Sequence, residues 1–165
     1  MPEADTLNGS FPVLSCAATL AFERELLAGD EALEWAAMSR AGHGIGRALL
    51  DDIRECGGIS PRGRLLVLCG KGHNGGDALI AAHQILDTHP ATTALVVIVP
   101  GFASLRPLVR RALEALVRTH RHRVEFESAA GDSEGRDGLR LRGRLASEAF
   151  DVCLDGLCGM QFRPP

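Results

Sequence analysis

Tyrosine is absent from the 165 residues, tryptophan occurs once, and aromatic side chains make up 4% of the chain, which leaves little to stack on bases. Single-stranded nucleic acid is held on aromatic platforms threaded with basic residues. The one local run of basic residues, Arg106 to Arg123, contains no Phe, Trp or Tyr. With a net charge of −3, the chain reads as no partner for nucleic acid, and that run as the solvated face of a helix. Long apolar runs are missing as well. The stretch FPVLSCAATLA is preceded by Glu3 and Asp5 rather than by basic residues, so neither a signal peptide nor a membrane span is read. The five cysteines are odd in number and include no C-x-x-C pair, which argues against a zinc or redox motif. Cys69 and Cys153 fall in apolar strand-like runs and read as reduced core residues. A reducing cytoplasm is the expected location.

What is present is apolar material enough for one domain, 45% of the residues, consistent with the length. Residues 1–14 read as a loose arm and residues 15–165 as the domain. Ser15 is placed to cap a first helix ending near Gly29, and Asp30 a second that runs through EWAAMSRAGHGIGRALLDDIREC. Gly42, Gly44 and Gly46 weaken that helix by about 1 kcal/mol each relative to alanine, a cost that suggests close packing on another backbone. Trp35 and Met38 read as packing residues of the same helix.

From Arg64 the pattern changes to RLLVLC, TALVVIV, RVEFES and FDVCLD as strands, with amphipathic helices between them. Continuous apolar strands alternating with helices predict an α/β fold: a Rossmann-like three-layer αβα arrangement with a mainly parallel sheet. Right-handed crossovers put the first strand centrally, the second and third to one side and the fourth on the other. A ligand is then expected between the exits of the first and fourth strands.

The first exit reads GKGHNGGD, in which Gly70, Gly72 and Gly75 fit G-x-G-x-x-G between a strand and a helix. The second strand ends without the acidic residue that a dehydrogenase places on the ribose, and Lys71 is misplaced for a P-loop. A loop from Gly72 to Asp77 remains, with Asn74 and Asp77 bracketing two glycines. Taken singly, Asn74 suits a turn and Asp77 a helix cap.

CGKGHNGGDALIAA resembles the glycine-rich signature of the NAD(P)H-hydrate epimerases, the YjeF N-terminal domain, commonly written GNNGGDG. His73 stands at that pattern's first Asn and Ala78 at its last Gly. AAMSRAG and FDVCLDGLCGMQFRPP are similar to two further stretches of that family, and the likeness runs from about residue 20 to residue 165. The resemblance implies an isomerase that interconverts the R and S forms of hydrated NADH or NADPH (NADHX, NADPHX). It implies substrate contacts at Gly72, His73, Asn74, Gly75, Gly76 and Asp77, and at Gly159, Met160, Gln161, Phe162 and Arg163. It implies one potassium ion (K+) per subunit held with the help of Asn74 and Asp155, and it makes Asp155 the best-placed catalytic carboxylate. Lys71 and Arg163 are cations at the expected rim, suited to phosphate, and His73 is a second proton-exchanging group.

The family continues with an Asp-x-Pro-Ser-Gly segment that this sequence does not reach, so the domain is expected to lack part of its C-terminal fold, and these residues alone to bind dinucleotide weakly and epimerise it poorly or not at all. Expected partners are the dinucleotide, a second copy of the chain through the N-terminal helices, and a fused or separate NAD(P)H-hydrate dehydratase. The alternative is a non-catalytic Rossmann-like module that binds a nucleotide or a protein.

Overall fold

The computed structural model describes residues 14–60, 62–129 and 136–158. Two units make up the chain, one up to Glu34 and the other from Trp35. In the first, the Ser15 hydroxyl accepts from the Ala18 amide at 3.2 Å and so starts α1 (Cys16–Leu27), none of whose residues is buried. Ala28, at φ 48°, ends the helix one residue before the glycine that the sequence offers. Asp30 accepts from the amides of Ala32 and Leu33 at 2.8 and 3.1 Å and starts α2 (Glu31–Glu55), as its residue type suggests. Gly57 and Gly58, at φ 99° and 92°, stop that helix, the left-handed region being open to glycine without a Cβ clash.

The second unit is built on four parallel strands, β1 (Arg64–Cys69), β2 (Thr93–Ile98), β3 (Val124–Ser128) and β4 (Val152–Gly156), in the order β3-β2-β1-β4 that the crossover rule gives. β1 and β2 both have neighbours on either side; β2 buries every residue from Ala94 to Ile98, and β1 alternates, with Leu65, Val67 and Cys69 fully covered. Helices α3 (His73–Thr88) and α4 (Pro107–His120) make the first two crossovers and pack on each other. Their Leu79, Ile85, Leu86, Val109 and Leu116 join the strand residues in one core, each such side chain stabilising the fold by roughly 1.5–3 kcal/mol on burial. The return from β3 to β4 runs the other way, so a right-handed connection carries α5 (Arg136–Ser147) across the opposite face.

Among the described residues α5 buries nothing and is held by charge. Arg144 donates to Glu127 at 2.8 Å, to Glu125 at 2.6 Å and to Glu148 at 2.9 Å, and Arg140 also pairs with Glu127.

Close helix packing accounts for two of the three α2 glycines. A Cβ on Gly42 would sit 2.6 Å from Ile80 Cβ, and one on Gly46 would sit 2.9 Å from Gln84 Oε1, while Gly44 faces open space. Two expectations need correction. Cys153 is exposed rather than a core residue, because β4 is an edge strand and this side chain sits on its uncovered side, across from Leu66. The basic run on α4 is only partly solvated. Arg110 donates to the carbonyls of Leu105 and Ala103 at 2.9 and 2.8 Å, Arg123 to those of Leu86, His89 and Thr92, and Arg111 lies 4.0 Å above the Trp35 ring. Guanidinium donors satisfy backbone carbonyls that a helix end leaves open.

Candidate functional site

The β1 and β4 exits are joined by the Gly70 amide, which donates to the Gly156 carbonyl at 3.1 Å. Gly72 caps α3 with no side-chain hydrogen bond, and the helix begins at His73. The stretch expected to be a loop is therefore mostly the first helical turn, and Asp77 lies inside the helix rather than at its cap.

Backbone excludes a side chain at Gly75 and Gly156, and the Met38 side chain excludes one at Gly76. A Cβ on Gly75 would overlap the Gly70 carbonyl oxygen, one on Gly76 would overlap Met38 Sδ, and one on Gly156 would lie 2.6 Å from the Asn74 carbonyl. Strand exit and helix start approach so closely that no side chain fits between them. Gly72 differs, having no atom within 4 Å of its would-be Cβ, so its side of the turn is open. Beneath the turn, burial pushes the Cys69 thiol up to about 12, and it donates to the carbonyls of Gly70 and Gly75. Such a thiol is inert.

Beside this junction lies a cavity of about 470 Å³, within the range of small-molecule sites. From α3 it receives Asn74, Asp77 and Ala78, and from β4 it receives Cys153, Leu154 and Asp155. The structure thus brings Asn74, Asp77 and Asp155 together. Ile45, Ala48, Leu49 and Asp52 of α2 close the third side. The sequence reading did not find this wall, although the spacing 45, 48, 49, 52 marks one helical face. Of the other expected contacts, His73 and Lys71 are exposed on the turn, Gly75 and Gly76 are buried within it, and Gly159, Met160, Gln161, Phe162 and Arg163 lie outside the described residues.

Hydrogen bonds fix how the polar groups are presented. The Asn74 side chain donates through Nδ2 to the Cys158 carbonyl at 2.6 Å, which commits its nitrogen and leaves Oδ1 as the acceptor. Asp155 Oδ1 accepts from the Leu157 amide at 2.9 Å. Asp77 Oδ1 is buried without a hydrogen-bond partner, and burial pushes this carboxyl up to about 6 against the pull of the nearby His73 charge. Burial, then the Asp155 charge, also raises the Cys153 thiol.

Three carboxyls, Asp52, Asp77 and Asp155, share the cavity with one amide oxygen. Such a donor set attracts cations and repels phosphate. Oxygens of this kind could hold a hard cation, and Asn74 Oδ1 and the Asp155 carboxylate lie at the exits of the two strands.

Among the described residues no helix is long and apolar enough to cross a membrane, and all five cysteines are free. The fold is similar to that in the crystal structure of yeast ynu0 (YNL200c), with a TM-score of 0.69 and 19% sequence identity over 94% of this chain. The chain spans 60% of that yeast protein. Residues 35–165 match the family model described as YjeF-related protein N-terminus, and the match begins where the second unit does. The chain belongs to the family of YjeF-related protein N-termini.

Proposed function

We propose that this domain is an isomerase of nicotinamide nucleotide repair, interconverting the R and S epimers of hydrated NADH and NADPH. The observation that carries the reading is the convergence of Asn74, Asp77 and Asp155 on one cavity beside the glycine-rich turn. Family membership supports it.

Epimerisation requires the ring hydroxyl to leave and return on the other face. An acid gives a proton to the departing oxygen, water leaves with its bonding pair, and the ring becomes a planar cation. Water then adds from the opposite face and loses a proton to a base. Asp77, which binds a proton more readily than an ordinary carboxyl, suits the first role, and Asp155 the second. The carboxylates around the cavity favour the positive ring between the two steps. Asn74 and Asp155 would hold a potassium ion, which when bound supplies a fixed positive charge for orienting substrate oxygen. Lys71, at the open side of the turn, and Arg163 are the proposed phosphate contacts, since the cavity itself is acidic.

The proposed setting is the cytoplasm, which the free cysteines suit. The dinucleotide is the ligand, and a fused or separate dehydratase consumes the S form. A homodimer through the N-terminal helices belongs to the same proposal, supported by the exposed Phe22 and Leu26 of α1. The test is to add the chain to pure R-form hydrated NADPH in potassium chloride and follow the S form by NMR. Slow conversion above the spontaneous rate, lost in Asp155→Asn, is expected. Conversion at the spontaneous rate despite retained dinucleotide binding would assign the chain to the non-catalytic binding reading instead.

A further inference from the structure

Three side chains that the proposed reaction does not use meet where α3 and α4 run side by side. His83 and Asp87 lie one turn apart on α3, and His120 is the last residue of α4. Asp87 offers one carboxylate oxygen to each imidazole: Oδ1 is 3.1 Å from His120 Nε2, and Oδ2 is 3.7 Å from His83 Nε2. The two rings stand edge to face with centroids 4.8 Å apart. A tetrahedral ion with bonds near 2.1 Å holds its ligand atoms about 3.4 Å apart. The two measured separations bracket that value, and the imidazole nitrogens, within 4.8 Å of each other, close the remainder by ring rotation.

A second observation points to a ligand independently. His120 is 5% exposed, yet its Nε2 has no hydrogen-bond partner, because Asp87 lies within reach but off the N–H direction. A buried ring nitrogen thus faces the cluster, its desolvation offset by a contact with Asp87 of poor hydrogen-bond geometry. Burial also holds both imidazoles below the ordinary histidine value, assisted at His120 by the charges of His83 and Arg123 and opposed at both by Asp87.

We propose that His83, Asp87 and His120 form a binding site for a divalent transition metal, zinc by preference, with a fourth position open to solvent beside the exposed Asp87. Two imidazoles and one carboxylate make a three-ligand zinc set, whereas potassium is served by oxygens. The site is distinct from the cavity in place as well. Along α3, Asp87 lies about 20 Å beyond Asn74 at 1.5 Å per residue, toward the other end of the sheet. An ion there clips α3 to α4 and takes no part in chemistry at the glycine-rich turn.

Arg123 sets the condition for loading. A guanidinium only donates, so its 2.7 Å contact makes His120 Nδ1 an acceptor and leaves the ring proton on Nε2. Ligation requires the Nε2 lone pair, so that proton passes through solvent to Nδ1. Arg123 then turns from the ring and keeps the carbonyls of Leu86, His89 and Thr92. No net proton is released by this ring.

The experiment titrates chelator-stripped protein with zinc by calorimetry and with cobalt by absorption, and records the melting temperature with and without zinc. One equivalent of zinc is expected, with a raised melting temperature and a cobalt visible spectrum lacking the near-ultraviolet band of thiolate ligation. His83→Gln and Asp87→Asn alter side chains outside the apolar core, and each should weaken zinc about tenfold or more and remove the thermal shift. Equal zinc affinity in both variants, a thiolate band that reveals the cysteines as ligands, or a folded wild type that takes up no zinc would each overturn the proposal.

Discussion

Replacing Gly75 by alanine separates two roles that a glycine-rich turn can have. The added Cβ overlaps the Gly70 carbonyl oxygen and comes within 3.0 and 3.1 Å of that residue's carbonyl carbon and amide nitrogen. All three are backbone atoms at the exit of β1, tied to β4 through the Gly70 to Gly156 hydrogen bond, and they cannot yield as the end of a flexible side chain can. Overpacking costs roughly 1–3 kcal/mol, and a backbone neighbour places this case near about 3 kcal/mol. A chain of this size loses roughly 2–4 °C of Tm per kcal/mol, so a fall of about 6–12 °C is expected. Gly72→Ala is the control: its φ of −101° suits alanine and no atom lies within 4 Å, so its cost should stay below about 1 kcal/mol, that of exchanging a glycine for alanine at a helix cap. Urea unfolding followed by circular dichroism measures both, and an unchanged slope certifies that the midpoint reports stability. A Gly75→Ala protein melting within about 1 °C of wild type would refute the claim that the chain's own backbone requires this glycine.

Asp77 titrates near 6 in the folded protein against 3.8 ordinarily. Between those values the folded state binds the proton more readily, so this group favours folding at low pH and its contribution is lost as pH rises through the window. Asp77→Asn should therefore raise Tm at pH 7 more than at pH 4, and an equal shift at both would sink the assignment. Burial pushes Glu127 up, but hydrogen bonds from Arg144 and Arg140 outweigh it and hold the carboxyl below its ordinary range. Its contribution is present above the ordinary glutamate value and disappears as pH falls through the folded one. Arg144→Met should cost about 1–3 kcal/mol at neutral pH, and adding Glu127→Gln should restore part of it; double-mutant cycles in urea measure the coupling. Asn74→Ala and Asp155→Ala should each abolish any rise in Tm that potassium chloride gives over tetramethylammonium chloride, and a rise that survives both substitutions removes the cation from these residues.

Strand order was legible because continuous apolar runs and crossover handedness leave few arrangements, and the β3-β2-β1-β4 sheet follows from them. Ser15 and Asp30 announced their helices by residue type. The start of α3 was not legible, since four glycines between Gly70 and Gly76 read as a loop. Only the tertiary contact of Gly75 with Gly70 shows that the helix tolerates them for the sake of close approach. The α2 wall of the cavity escaped because its helical face, mostly apolar, looks like any core face until the site it borders is known. The environment of Asp77 escaped for a related reason: nothing local distinguishes a carboxyl that caps a helix from one folded into it beneath a cavity. Arg110 and Arg123 were read as solvated because a sequence does not reveal which carbonyls at a neighbouring turn lie open to them.

Because α5 is anchored by guanidinium–carboxylate pairs and buries no apolar residue, its attachment should follow ionic strength rather than the global stability of the sheet. Pairs that are partly exposed weaken as the Debye length falls from about 10 Å at 0.1 M salt to about 3 Å at 1 M. The helix can then detach while Leu79, Ile85 and their neighbours stay covered on the other face, a sub-global opening whose amides exchange with solvent well before those of β2. Hydrogen exchange in high salt should show α5 leaving first.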